Sequence, residues 1–181
     1  MYRFLKWKYV FATLLRWLLP INKDMAKNPV FMPLLYIFHI CLIAVPVFLS
    51  GHLAIWDESR FEWSWPALPD AWANWMTLIL LAISIFFFLR RLISADIRLI
   101  STFSDYLLII VTALPFMTGY FLTHGTLESI GFKGDTMYLI HLLSGELMLI
   151  LIPLTRLSHS VLFFFSRAAT GIEFGRRGYS M

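Results

Sequence analysis

The sequence has little charge and almost no cysteine. Charged residues make up only 14% of its 181 residues, against roughly a quarter in a typical soluble domain. The single cysteine, Cys41, cannot form an intrachain disulfide and belongs to no CxxCH motif, so a covalently attached c-type haem is excluded. Because Cys41 lies within an apolar run, we expect it to be a small core residue.

What the sequence does have is apolar surface. Hydrophobic residues make up 59% of the chain and aromatic residues 17%, and the mean hydropathy is +0.73. This excess cannot fit inside one soluble core, so much of it must face lipid. The length leaves no room for a second domain of ordinary size.

Four stretches are apolar and long enough to cross about 30 Å of hydrocarbon, which takes roughly 20 helical residues. They cover residues 31–56, 72–89, 106–123 and 137–165. Helix is the structure expected in lipid, because an open strand would leave backbone groups without hydrogen bonds. The sequence therefore predicts an all-α membrane protein, with a bundle of four transmembrane helices in a domain of residues 29–166.

The two ends of the chain lie outside this domain. Residues 1–28 mix six basic residues with aromatic ones, and Arg16 interrupts the apolar stretch, so we interpret the segment as retained rather than as a signal peptide. Its charges spread around a helical wheel, which leaves open whether it forms an interfacial helix on the membrane. Residues 167–181 are predicted to be a cytoplasmic tail.

Lys and Arg are distributed very unequally between the two sides of such a bundle. Thirteen fall on the side of the two termini and two on the other side. By the positive-inside rule both termini are predicted to be cytoplasmic. Because these charges lie at helix ends rather than along one face, nucleic acid is not expected as a partner despite the net charge of +4.

All five histidines lie in or beside the predicted spans, where polar groups are costly and usually mark a site. The first and fourth spans carry two each and cross in opposite directions. His39 and His159 would therefore lie near the cytoplasmic side, and His52 and His141 near the outer side. One imidazole from each helix at each level is the arrangement that bis-histidine ligation of a haem requires. We predict two b haems held by these four residues.

On straight helices the geometry favours one helix over the other. His141 and His159 are 18 residues apart, which gives five turns, a rise of about 27 Å and a shared face. His39 and His52 are 13 residues apart, and a net rotation of roughly 220° puts them on different faces. Pro46 lies between them and is a candidate for a kink. His124 is therefore an alternative outer ligand to His52.

Within the fourth span, the sequence carries His141, Gly145, Pro153, Arg156 and His159 in turn. This pattern resembles the last dihaem helix of the respiratory nitrate reductase gamma subunit, and the FH at 38–39 with the GH at 51–52 is similar to that family's first haem helix. Asp105-Tyr106 and the run from Thr112 to Tyr120 look most like the membrane subunits of transmembrane redox complexes of sulfate reducers. The histidines of the first helix lie farther apart than in the nitrate enzyme.

The resemblance implies a membrane subunit of a respiratory oxidoreductase complex in a bacterial inner membrane. Its expected partners are menaquinone, a cytoplasmic iron–sulfur subunit of the heterodisulfide-reductase-like type and, for the sulfate-reducer likeness, a periplasmic multihaem cytochrome c. Gly145 would let a haem approach the helix closely. The chain has no nucleophile constellation of its own, so it would conduct electrons rather than turn over substrate alone.

Three further residues are open to more than one interpretation. Arg156 could pair with a haem propionate, anchor the helix end, or do both. Glu146 could relay protons to a quinone site or pack between helices as a neutral acid. His124 could exchange protons with a quinol or be an ordinary interfacial histidine. The rival to the whole hypothesis is a haem-free membrane anchor or small transporter-like bundle whose histidines pack or bind a bare metal ion.

Overall fold

The structure, a computed structural model, describes residues 7–18 and 28–177. These residues form eight α-helices in chain order: α1 Trp7–Leu18, α2 Phe31–Phe48, α3 Ser50–Asp57, α4 Asp70–Ile93, α5 Ala95–Ile100, α6 Phe103–His124, α7 Gly134–Leu154 and α8 His159–Arg176. Two short 3₁₀ helices, Glu128–Ile130 and Arg156–Ser158, flank α7. Neither described stretch contains a strand, which confirms the predicted all-α class.

Four of these helices, α2, α4, α6 and α7, are long and apolar enough to cross a membrane. Their most apolar windows have mean hydropathies between 1.7 and 2.2, yet only 11–28% of the residues in each window are buried within the chain. Apolar side chains that point outward in this way need lipid or another apolar partner around them. The predicted bundle of four membrane-spanning helices is confirmed.

The chain divides into two compact parts, which are described separately: residues 34–150, and the chain ends up to residue 33 and from residue 151 onward. The core of the first part joins α2, α4 and α6 through four buried residues, Cys41, Val45, Leu80 and Phe116. The expectation that Cys41 is a small core residue is confirmed. The closest backbone packing in this part is between α4 and α6, whereas α2 and α7 approach other helices only at isolated points.

The prediction of one continuous helix over residues 31–56 is wrong. Helix α2 ends at Phe48, Leu49 has extended backbone (φ −69°, ψ 130°), and α3 begins at Ser50. Pro46, in the last turn of α2, lacks the N–H that would continue the helical ladder. The rotation calculated for a straight helix between His39 and His52 therefore does not describe this segment.

The fourth span is also shorter than predicted. Helix α7 ends at Leu154, one residue after Pro153, and Thr155 is extended (φ −132°, ψ −173°). The 3₁₀ turn Arg156–Ser158 follows, and His159 is the first residue of α8. The prediction of one continuous helix over 137–165 is therefore wrong, and the five-turn relation between His141 and His159 fails with it.

A polar cluster holds the connection between α4 and α6. Asp105 accepts hydrogen bonds from the backbone N–H and the hydroxyl of Thr102, at 2.8 and 2.9 Å, and so closes a capping box at the start of α6. Arg91, at the end of α4, donates to the Ser101 hydroxyl and lies 4.0 Å from the buried Asp105 carboxylate. This cluster ties the end of one span to the start of the next.

In the part formed by the chain ends, α1 packs on α8. Val10 and Thr13 of α1 are buried, and two glycines of α8 lie against this helix. A Cβ on Gly171 would lie 2.9 Å from the Tyr9 carbonyl oxygen, and a Cβ on Gly175 would lie 2.7 Å from the Tyr9 ring. The two glycines are four residues apart, the spacing of small-residue helix contacts.

A further apolar stripe of α1 faces outward. Trp7, Phe11 and Leu15 follow each other at intervals of four residues, and each is more than half exposed. Over Trp7–Leu18 the apolar residues lie on one broad side of the helix, so the predicted spread of charges around the wheel does not hold for this part of the N-terminal segment. The rest of the predicted N-terminal segment, residues 1–6 and 19–27, lies outside the described residues. Helix α8 continues across the predicted boundary between residues 166 and 167.

Candidate functional site

His52 and His141 face each other in the part formed by residues 34–150. Their ring centroids are 5.9 Å apart and the ring planes differ by only 10°. Both side chains are half-buried. Of the two outer candidates for the partner of His141, the structure therefore brings His52 to it.

His52 is oriented by the helix break beside it. Its Nδ1–H donates to the carbonyl oxygen of Pro46 at 2.9 Å, so the side chain caps the end of α2. The last carbonyls of any helix lack partners within the helix and must find donors elsewhere. Here a histidine one turn beyond the break supplies that donor.

The neighbouring carbonyls of α2 are satisfied in the same region. The Val47 carbonyl accepts from the indole N–H of Trp65 at 3.0 Å, and the Phe48 carbonyl accepts from the backbone N–H of Leu68 at 2.8 Å. The connection between α3 and α4 thus folds back onto the break. The position of His52 depends on this returning segment.

His141 of α7 lies against α6. Its Nδ1 is 3.2 Å from the hydroxyl oxygen of Thr118, which is 3% exposed. The next residue, Gly119, lies against the imidazole: a Cβ there would lie 2.9 Å from His141 Cε1 and 3.3 Å from Nδ1. One turn of α6 therefore provides both a polar partner and the space for the ring. The missing side chain of Gly119 makes room for the His141 side chain, and not for the backbone of another helix.

The hydrogen bonds determine which ring nitrogen carries the proton. A carbonyl oxygen can only accept, so Nδ1 of His52 is protonated. The Thr118 hydroxyl donates to the carbonyls of Leu114 and Pro115, at 2.9 and 3.2 Å, which leaves its lone pairs to accept from Nδ1–H of His141. In the neutral imidazole the other nitrogen, Nε2, then has the lone pair that a metal needs.

Each of these histidines has a glycine close to it in the chain. Gly51 precedes His52 in the chain, and Gly145 lies one helical turn after His141, on the same face of α7. A Cβ added at either glycine would meet no atom within 4 Å. The structure thus places Gly145, a predicted cofactor-binding residue, at an unfilled position next to His141.

The two predicted inner ligands lie in different compact parts. His39, in residues 34–150, donates from Nδ1–H to the Leu35 carbonyl at 2.8 Å and meets the Phe38 ring edge to face. His159 belongs to the part formed by the chain ends, where its Nδ1–H donates to the Arg156 carbonyl at 2.7 Å. Arg156 itself is exposed at the start of the 3₁₀ turn. Their pairing at one haem stays a prediction.

The remaining candidates lie on the surface. His124 is exposed at the last residue of α6, donates to the Tyr120 carbonyl and stacks on the Tyr120 ring with centroids 4.1 Å apart. Glu146 is exposed on α7 and makes no hydrogen bond within residues 7–18 and 28–177, so it does not pack between helices there. Across the same residues no three His, Cys, Asp or Glu side chains come together as ligands for a bare metal ion.

Comparison with known proteins gives one relative. A curated protein of Nitratidesulfovibrio vulgaris (strain Hildenborough), described only as "Protein", is 37% identical over 166 residues, which cover 91% of this chain and 71% of the relative. The chain belongs to the same family as that protein. No family model matches the chain, and no solved structure matches it. Because so little of the chain lies outside the match, the part that the two family members share includes all four spans.

In this family member, the residues that orient the histidines are not marked by any specific sequence pattern. Thr118 and the Pro46 carbonyl hold the two rings, and neither was a candidate. A hydroxyl next to the glycine at 119 was a weak signal, since small polar residues in spans often bond across helices. Nothing in the sequence marks a particular backbone carbonyl as the partner of His52.

Proposed function

We propose that this chain is a membrane cytochrome b subunit that carries electrons across the bilayer of a bacterial inner membrane through two bis-histidine b haems. The observation that carries this proposal is the pair of near-parallel imidazoles of His52 and His141. The remaining ligands would be His39 and His159, and both termini would be cytoplasmic, as the distribution of basic residues indicates.

The residues around the outer pair fit a haem. His52 and His141 would hold the iron through their imidazole nitrogens, which needs two rings close together, since such a nitrogen lies about 2 Å from its metal. The rings of His52 and His141 are 5.9 Å apart. Both bond through Nδ1 to a protein oxygen, the arrangement that typically orients metal-ligating histidines.

The space near the pair also suits a flat macrocycle. Gly145, one turn from His141, presents no side chain toward it, and α2 and α7 come close to other helices only at isolated points. A bound haem would supply one-electron chemistry in an apolar setting. The chain's own part would be to hold the two imidazoles, to leave Nε2 unprotonated and to exclude water with the surrounding apolar side chains.

The partners follow from the resemblance noted above and are part of the proposal. Menaquinone would exchange electrons at one haem, with Glu146 and His124 as exposed groups able to pass protons. A cytoplasmic iron–sulfur subunit would meet the inner haem, and a multihaem cytochrome c would be the periplasmic partner. Arg156 would pair with a propionate at the inner haem.

The first test is the colour of the purified protein. We expect a b-type spectrum with a reduced-minus-oxidised alpha band and two haems per chain by pyridine haemochrome. A colourless preparation from cells well supplied with haem would instead favour a haem-free membrane anchor or small transporter-like bundle.

Two substitutions then test the outer ligand. His52→Ala should lower the haem count from two to one, because it removes one of the facing imidazoles. His124→Ala is the matched control and should leave two haems, since His124 stacks on Tyr120 at an exposed helix end. The opposite pattern would reject His52 as a ligand.

A further inference from the structure

We propose that Thr118 is a positioning residue that tunes the haem ligated by His141, by accepting a hydrogen bond from its Nδ1–H. The inference rests on the proposed function, because it needs a haem on the other nitrogen of that ring. It goes beyond that function by naming the α6 side chain that controls how strongly the imidazole of His141 donates electrons to the iron.

The hydrogen bonds around Thr118 make it an acceptor. Its one hydroxyl proton is directed to the carbonyls one turn back in α6, that of Leu114 at 2.9 Å and that of Pro115 at 3.2 Å. The His141 Nδ1 lies 3.2 Å from the same oxygen, on which lone pairs remain. Because His141 must keep Nε2 unprotonated to bind iron, its proton is on Nδ1 and points to Thr118.

The surroundings of Thr118 hold the contact in place. The side chain is 3% exposed, so bulk water does not replace it readily. Its oxygen also lies 3.1 Å from the hydroxyl of Ser144, which donates to the His141 carbonyl at 2.7 Å. Gly119 supports the ring from the adjacent position. The imidazole is thus held at Nδ1 by Thr118 and confined at Cε1 by Gly119.

An acceptor on the outer nitrogen makes an imidazole a stronger electron donor to its metal. A stronger donor stabilises the oxidised iron and lowers the reduction potential. Thr118→Val keeps nearly the shape of Thr but removes the hydroxyl. We therefore expect it to raise the reduction potential of one of the two haems and so to favour its reduced form by up to about tenfold, which is about 59 mV for one electron. The other haem should be unchanged.

The experiment is a spectroscopic redox titration of the purified full chain with both haems bound. Thr118→Ser keeps the hydroxyl and should restore the wild-type potential. Thr112→Val is the matched control: Thr112 is buried on the same helix and donates to its own i−4 carbonyl, that of Leu108, at 2.7 Å, but makes no hydrogen bond to a histidine among the described residues. It should leave both potentials unchanged.

The outcomes separate this inference from the proposed function. Two haems with unshifted potentials in Thr118→Val would overturn the role of Thr118 and leave the cytochrome intact. If Thr118→Val loses one haem while Thr118→Ser and Thr112→Val keep both, the role of the hydroxyl is supported. Loss of a haem in both Thr118 variants would reject it, because the hydroxyl would then not be the deciding group. A wild-type chain without haem would reject the proposed function itself.

Discussion

Trp65 donates its indole N–H to the carbonyl oxygen of Val47, which is 3.0 Å away and 18 residues earlier in the chain. The contact joins the connection between α3 and α4 to the end of α2. Since His52 caps the adjacent carbonyl, that of Pro46, the indole is one of the groups that stabilise the break on which the outer candidate ligand depends.

Trp65→Phe should loosen this break. The change keeps an aromatic ring but removes the donor, and the loss of one hydrogen bond of this kind costs about 0.5–1.5 kcal/mol. We expect amide exchange at residues 49–53 to accelerate by about fivefold, the equivalent of about 1 kcal/mol. Trp63→Phe is the control, because the Trp63 indole nitrogen makes no hydrogen bond in the described part of the chain. Equal acceleration in both variants would contradict the prediction.

Gly119→Ala should displace the imidazole of His141. The added methyl group would lie 2.9 Å from Cε1, closer than carbon atoms approach, so the ring must move and its bond to Thr118 must lengthen. We expect the haem count to fall from two to one, with a loss of about 1–3 kcal/mol in stability from overpacking. Gly134→Ala, where a Cβ meets nothing within 4 Å, should keep both haems. Retention of two haems in Gly119→Ala would show that the ring is not confined there.

Gly171→Ala should detach α1 from α8. A Cβ at residue 171 would lie 2.9 Å from the Tyr9 carbonyl oxygen and 3.0 Å from Val10 Cα, and backbone atoms cannot rotate away as a flexible side chain can. We expect proteolysis and amide exchange within α1 to increase, with a cost of about 1–3 kcal/mol. Ala169→Leu adds more bulk at an exposed position of the same helix and should have no such effect. Unchanged protection of α1 in Gly171→Ala would rule out close packing at this glycine.

Asp105→Ala should destabilise the start of α6. It removes the acceptor for the Thr102 N–H and hydroxyl and leaves Arg91 without the carboxylate 4.0 Å away. The loss of a helix cap costs about 0.5–2 kcal/mol, which should appear as a lower Tm in detergent. Asp135→Ala removes one exposed charge from the first turn of α7 and should lower Tm less. An equal decrease in both variants would mean that the capping box contributes nothing specific.

The sequence could predict the four spans and only approximately their ends. Helix α4 begins two residues before its predicted start and ends four residues after its predicted end. Helix α6 begins three residues before its predicted start and ends one residue after its predicted end. Helix ends depend on caps such as Asp105 and Thr102, and these polar residues do not show where a helix begins when only the apolar run is considered. The two interruptions at Leu49 and Thr155 were missed because a continuous apolar run does not show where its ladder of hydrogen bonds breaks.

What the sequence by itself determined is membrane insertion and helical class. Long apolar runs partition into lipid whatever their neighbours are, and a backbone in lipid must satisfy its hydrogen bonds within its own helix. Only the tertiary structure decided that His52 meets His141 and that Thr118 and Gly119 hold the ring. Those contacts join residues more than 20 positions apart in the chain, and the helix break that orients His52 is held by Trp65 and Leu68. A local pattern cannot contain partners that folding brings from elsewhere in the chain.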